Sequence, residues 1–332
     1  MNLSSLDWAA VTRLREIFLE GGPQRRAYWT SPADLQAYDL TLGERIGWKW
    51  DAVLGELAAA GWKPPAGPLV DFGCGSGGAG RRVLAAFGAG HFTGLRLHDR
   101  SGIAESFALG RARELFPELP GSVLSAAELE GDGPLGTLVI SHVLGEMAER
   151  DRAKLVRLAR RAAAVLWVEP GTHADSRALI DVREALRDEF DVIAPCTHCE
   201  ACGLLVPERS ADWCHFFGRP PWEIFTDPAW GEFADRLGVD LRSLPFSFLV
   251  LQRRGEGTLP AAQTGLTRTL GRARIYKGYA KIFACDADGV GEVTLQKRDA
   301  PEHYKAMKDG DASPLQRWRR DGDRVRPAEP PQ

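Results

Sequence analysis

At 332 residues, with 44% hydrophobic and 26% charged side chains, the chain has the composition of a folded globular protein rather than a disordered or fibrous one. Its formal charge of −3 argues neither for nor against a polyanionic partner. No stretch approaches the roughly 20 apolar residues that span a bilayer, and the N-terminus, with Asp7 and Glu16, lacks a secretion signal, so a cytoplasmic protein is expected.

Residues 1–66 read as an N-terminal helical cap. Ser31-Pro32-Ala33-Asp34 is a helix start: a hydroxyl to cap, Pro where its missing N–H costs nothing, and an acid at the positive helix end. Leu35, Leu42, Ile46, Trp50, Val53, Leu54 and Leu57 follow helical spacing, and Gly61 with Pro64-Pro65 ends the segment. From 67 to 254 strands alternate with helices. Pro68 to Phe72 is a short strand, Gly73 to Gly80 a glycine-rich turn opening a helix, and Phe92 to Asp99 the next strand. Leu135 to Ser141 and Ala163 to Glu169 are apolar strands flanking a helix over Arg150 to Arg161. This predicts an α/β fold with a doubly wound parallel sheet. Asp191 to Ala194 and Phe246 to Leu251 would be its last strands, with a cysteine-rich insertion over 195–244. Gly255 to Gly265 reads as a linker, 265–312 as a small β-module turning at Asp286-Ala287-Asp288-Gly289, and 313–332 as a disordered tail. From Gln263 to Arg326 there are 14 Lys/Arg against 9 Asp/Glu. That basic bias points to nucleic acid or to a solvated charged face. For a nucleic-acid partner, Arg272, Arg274, Lys277, Lys281, Lys297 and Arg298 would meet phosphate.

Asp71-Phe72-Gly73-Cys74-Gly75-Ser76-Gly77 joins a strand to a helix. Glycines there let the backbone turn sharply and approach a ligand, while the helix start presents free N–H groups. Gly73, Gly75 and Gly78 also satisfy the dinucleotide fingerprint, so the glycines leave S-adenosylmethionine (SAM), NAD or an empty turn open. Asp71, two residues before the first glycine, favours SAM, and Asp99 at the end of the next strand is the candidate for ribose hydroxyls. The expected cofactor site is Asp71, Gly73, Gly75, Gly77, Asp99 and His142. His142 follows the Leu135 to Ser141 strand, where such a sheet places its crevice, and Glu146 and Glu169 are further lining candidates. No residue is assigned as catalytic.

Four of the six cysteines lie close together: Cys196, Cys199 and Cys202 as C-x2-C-x2-C, then Cys214. Clustering of this kind in a reducing compartment points to metal rather than disulfides. The tight triple run resembles iron–sulfur ligation more than zinc, which stays the alternative through His198 and His215. Cys74 reads as a small filler and Cys285 as a core residue.

Taken in order, Asp71 to Gly77, Asp99-Arg100-Ser101, Val143 to Met147, Val168 to Thr172, the Cys196 to Cys202 run, Trp213 to Phe216 and Phe246 to Leu251 resemble a known family. They are similar to the methyltransferase-like proteins associated with the mitochondrial small ribosomal subunit, and their bacterial relatives, from about Ser31 to about Lys308. The resemblance implies a SAM-methyltransferase-like fold and a small-ribosomal-subunit or rRNA partner, with neither membrane nor DNA involved. It also implies a 4Fe–4S cluster on Cys196, Cys199, Cys202 and Cys214. An rRNA methyltransferase or assembly factor is the function implied. A non-catalytic scaffold with a structural metal, and a small-molecule methyltransferase, are the alternatives.

Overall fold

The computed structural model describes residues 6–20, 28–260 and 265–328. Three helices lead: α1 (Trp8–Glu20), α2 (Pro32–Asp39) and α3 (Leu42–Ala59). Ser31 caps α2 by accepting from the Asp34 amide, with Pro32 in the first turn. The sequence reads α2 and α3 as one periodic helix, but the chain breaks at Thr41, whose hydroxyl turns back to donate to the Ala37 carbonyl at 2.6 Å.

The main sheet then builds from β1 (Gly67–Phe72), α4 (Gly78–Phe87), β2 (Phe92–His98), α5 (Gly102–Leu115), β3 (Gly121–Val123), α6 (Ala126–Glu130), β4 (Leu135–Ser141), α7 (Glu149–Ala159), β5 (Ala162–Pro170), α8 (His173–Leu186) and β6 (Phe190–Ala194). Beyond it come β7 (Phe216–Gly218), α9 (Glu223–Thr226), α10 (Pro228–Leu237) and β8 (Leu244–Arg253). The strand order is β3-β2-β1-β4-β5-β8-β6, with β7 paired to β8. The sheet is mixed rather than wholly parallel, because β8 runs antiparallel between β5 and β6. The reversal follows from connectivity. Residues 195–243 leave the sheet where β6 ends and re-enter it at the same end, so β8 must run back. One antiparallel strand inserted beside the last parallel one gives the SAM-methyltransferase-like α/β arrangement. It also leaves the cysteine segment at the carboxyl end of the strands, the end at which open α/β sheets bind ligands.

Both faces are covered, so the central strands are apolar on both sides. Leu69, Val139, Leu166, Val168 and Val250 pack against Trp50, Val53 and Leu57 of α3 and Val83 and Leu84 of α4. Their neighbours Val70, Leu138, Ile140, Val165, Trp167 and Leu251 face Leu155 and Leu158 of α7 and Leu179, Val182 and Leu186 of α8.

A second sheet follows: β9 (Thr267–Thr269), β10 (Arg274–Ile275), β11 (Tyr279–Asp286), β12 (Gly289–Gln296), α11 (Pro301–Asp309), β13 (Leu315–Gln316), β14 (Trp318–Asp321) and β15 (Arg324–Pro327). Its order is β13-β9-β11-β12-β15-β14, with β10 on β11. The 313–332 segment, expected to be a disordered tail, is therefore paired over 315–327. Val325 is fully buried, and Arg320 and Arg324 pair with Asp286 and Asp299. Polar composition hid a segment that others hold. Residues 329–332 and part of the expected linker, 261–264, lie outside the described residues. Among the described residues no helix is long and apolar enough to cross a membrane.

A buried ion pair joins the second sheet to the helix α3 that packs on the first. Arg268 of β9, 2% exposed, gives its two terminal nitrogens to Glu56 of α3 and its Nε to the Pro195 carbonyl at 2.7 Å. Removing one partner of such a pair strands the other. Arg268→Met should therefore lower unfolding stability by about 3 kcal/mol, read from the denaturant midpoint.

Candidate cofactor crevice and thiol cluster

The glycine loop has the backbone that its residue types suggest. Gly73, Gly75 and Gly77 have φ of +71°, +50° and +76°, in the left-handed region that residues with a Cβ avoid. The loop hooks onto the end of β2, where the Gly73 and Cys74 amides donate to the His98 carbonyl at 2.7 and 3.0 Å. Asp99 accepts from the Gly75 amide at 3.0 Å and the Ser101 amide at 2.9 Å. Asp71 is buried at the end of β1, where Oδ2 accepts from the Gly80 amide at 3.0 Å. Its Oδ1 is buried without a partner, and burial pushes the carboxyl up to about 7. Cys74 is buried and its thiol is pushed well up by desolvation, which suits an inert filler.

Opposite the loop stands the turn after β4. His142 has φ +57°, the one non-glycine residue in that region among those described. Its Nε2 lies 3.1 Å from Nζ of Lys49, which reaches in from α3, and its Nδ1 lies 3.4 Å from Ser141 Oγ. Ser141 Oγ in turn accepts from Trp50 Nε1 at 3.0 Å. Burial lowers the Lys49 ammonium to about 7 and holds the His142 ring well below its ordinary value, Lys49 adding to the latter. Glu146 accepts from the Tyr28 hydroxyl at 3.1 Å, and Arg100 lies over the Tyr28 ring at 4.8 Å. The crevice thus gathers the six expected residues at one end of the sheet and adds Lys49, Tyr28 and Arg100. Lys49 is hidden in the sequence by its place between two core tryptophans on an apolar helix.

Glu169, the other lining candidate, is a buried clamp. Its Oε1 accepts from the Val143 and Leu144 amides, both at 3.1 Å, and from Trp167 Nε1 at 2.7 Å. Desolvation raises its carboxyl from 4.5 to about 7. The folded protein keeps a proton that the unfolded chain has already lost. Stability from this group therefore falls as pH rises from about 4.5 to about 7, by roughly 3 kcal/mol. Glu169→Gln keeps the accepting oxygen and cannot ionise. It should bring the denaturant midpoints at pH about 5 and about 8 closer together.

The cysteines meet at the same end of the molecule. Cys202, Cys214 and Cys285 are each shifted by neighbouring thiols. The Cys214 thiol is pushed well up by burial and by Cys196, Cys285 and Cys202. That of Cys285 is pushed up to about 12 by burial, Cys196 and Cys202. Cys202 is raised by burial and Cys196. Cys199 is not among these partners. Cys285, read from the sequence as core, packs at the core edge beside Cys202 and Cys214, and a separate sheet delivers it. Two buried guanidiniums stand against the thiols. Arg183 Nε donates to Cys196 Sγ at 3.2 Å while its NH2 holds the His198 and Glu200 carbonyls. Arg268 offsets the rise at Cys214. Among the described residues no three His, Cys, Asp or Glu side chains are grouped to hold a metal ion.

Of the basic residues expected to meet phosphate, Arg274 and Lys281 pair with Glu292, and Arg272 stacks on Phe217 at 4.1 Å. Lys297 and Arg298 line an open depression of about 550 Å³ with Gly278, Gln296 and Pro301.

Among solved structures, the chain is similar to the magnesium protoporphyrin IX methyltransferase of Synechocystis PCC 6803 with bound SAM. Identity is 13% and the TM-score 0.41, over 74% of this chain and 92% of that one. It is also similar to a SAM-dependent methyltransferase from Aquifex aeolicus (16%, 0.35, covering 49% and 89%) and to M. capricolum TrmK in complex with S-adenosyl-homocysteine (5%, 0.33, covering 62% and 69%). These scores are low, and the fold rests on the strand order instead. No curated protein matches the chain. Residues 122–314, more than half of the chain, match the family described as mitochondrial small ribosomal subunit Rsm22, and the chain belongs to that family.

Proposed function

We propose that this protein binds SAM in the crevice between the glycine loop and the β4 turn and works on the small ribosomal subunit through its rRNA. The observation that carries the cofactor is the loop itself. Three left-handed glycines turn the chain sharply at the end of β1, where backbone can approach a ligand closely, and the buried, unpartnered Asp71 Oδ1 is an acceptor suited to an ammonium. Asp99 at the end of β2 is where ribose hydroxyls would be held. Family membership supports the subunit as partner, and Lys297 and Arg298 offer cations to its backbone.

We further propose that Cys196, Cys202, Cys214 and Cys285, with Cys285 in place of Cys199, would hold an iron–sulfur cluster, although the described side chains do not stand grouped around a metal position. The support is chemical: an all-sulfur donor set drawn from three chain segments, its negative charge faced by Arg183 and Arg268. Such a cluster would supply a structural tie between the main sheet and the second sheet.

Calorimetry with SAM, and binding of small-subunit rRNA across a salt series, test the two halves. Binding of both, with rRNA affinity falling steeply as salt rises, is the expected result. Subunit binding without SAM binding would leave a non-catalytic assembly factor. Failure to bind rRNA would remove the ribosomal role.

A further inference from the structure

The Lys49–His142 contact joins α3 to the turn after β4 at the crevice wall. Two nitrogens 3.1 Å apart are held together only when one hydrogen lies between them. The contact is therefore either an amine accepting from the ring N–H or an ammonium donating to a neutral ring, and the two side chains carry at most one positive charge. Other groups face it from each side: Ser141 Oγ on the ring's Nδ1, Arg45 on the same helix, Glu169 of β5 and Asp175 of α8. Arg45 opposes a charge on Lys49, whereas Glu169 and Asp175 favour it. The pair keeps partial access to solvent, since both residues are only half-buried. His142 is held there in a left-handed backbone conformation that costs about 1 kcal/mol or more.

We propose that Lys49 and His142 form a single proton-accepting unit for methylation of an acceptor that still bears its proton, an N–H or O–H group. This rests on the SAM reading above. The acceptor attacks the methyl carbon with a lone pair, and the electrons of the broken C–S bond stay on sulfur. The acceptor's proton passes to the neutral pair, which becomes an ammonium bonded to a neutral imidazole. An acceptor carbon would need a nucleophile as well, and the nearby Cys74 thiol is buried and inert.

The pair can be read without turnover. Nitrogen-15 NMR of the free protein should show the His142 ring staying neutral where other histidines ionise. In Lys49→Met it should ionise at a pH about one unit higher or more. A ring titration unchanged in Lys49→Met overturns the shared proton. The second measurement is transfer of labelled methyl from SAM to small ribosomal subunits isolated from cells lacking the protein. Lys49→Met and Lys49→Arg should both lose roughly a hundredfold or more in rate while SAM affinity, by calorimetry, stays put. Arginine keeps the cation but cannot shed a proton, so wild-type rates in Lys49→Arg would reduce the contact to a structural one and overturn the proposal. So would a methyl group found on carbon, or SAM binding by the wild type with no transfer at all. A wild type that binds no SAM brings down the cofactor reading first, and this proposal with it.

Discussion

Cys285→Ser should strip the purified protein of iron and acid-labile sulfide, whereas Cys199→Ser should leave both at the wild-type level. The two cysteines differ in their surroundings rather than in their chemistry. Cys285 stands on β11, where Cys196 and Cys202 help to push its thiol up, and it in turn helps to push up Cys214. Thiols must lose their protons to ligate, and desolvated thiols close to other thiolates do so only against a positive centre. If the four thiols hold a cluster, loss of one ligand would remove the centre and with it a link between the sheets, since β11 belongs to the second. Structural metal binding is folding free energy, so the variant should lose about 3 kcal/mol, a fall of roughly 10 °C in melting temperature for a domain this size. Anaerobic purification followed by metal and sulfide analysis reads the result. Iron lost from Cys199→Ser and kept in Cys285→Ser would restore the consecutive triple run as the ligand set. Stoichiometric zinc with no sulfide would replace the cluster altogether.

Gly77→Val should abolish measurable SAM binding, and Gly73→Ala should weaken it at least tenfold. Both glycines combine a left-handed backbone with no room for a Cβ. At Gly77, φ is +76° and a Cβ would come within 2.9 Å of the Ala108 Cβ and 3.3 Å of its Cα, on the rigid helix α5. At Gly73 it would come within 2.6 Å of a Val143 methyl, in the turn that carries His142. Strain of about 1–2 kcal/mol adds to overpacking of similar size, and the loop can relieve both only by moving its amides. Gly88→Ala is the control. Its φ is +85° with nothing within 4 Å, so it carries the strain alone at the end of α4. It should lose about 1 kcal/mol of stability and keep its affinity. Equal affinity loss in all three variants would trace the effect to global stability and remove the loop from the site.

The glycine loop, both acids and the β4 turn were legible because each is a local signal. A glycine that must adopt positive φ, an acid at a strand end and a Ser-Pro helix start act within a few residues of themselves. The buried strands were legible for the same reason: an apolar run of strand length admits few other uses, and Leu135–Ser141 appears with the expected bounds. The order of those strands, the reversal of β8 and the pairing of 315–327 depend on partners far along the chain, and a segment's own composition does not name its partner. Cys285 and Lys49 show the same limit at the level of chemistry. A lone thiol on an alternating strand and a lysine between two core tryptophans look like packing until tertiary structure sets them beside Cys202 and His142. The sequence by itself therefore determined the α/β class and the place of the glycine loop, whose conformations are local. Only the tertiary structure decided that Lys49 meets His142 and that Cys285 joins the other thiols, because those contacts depend on distances that chain separation leaves open.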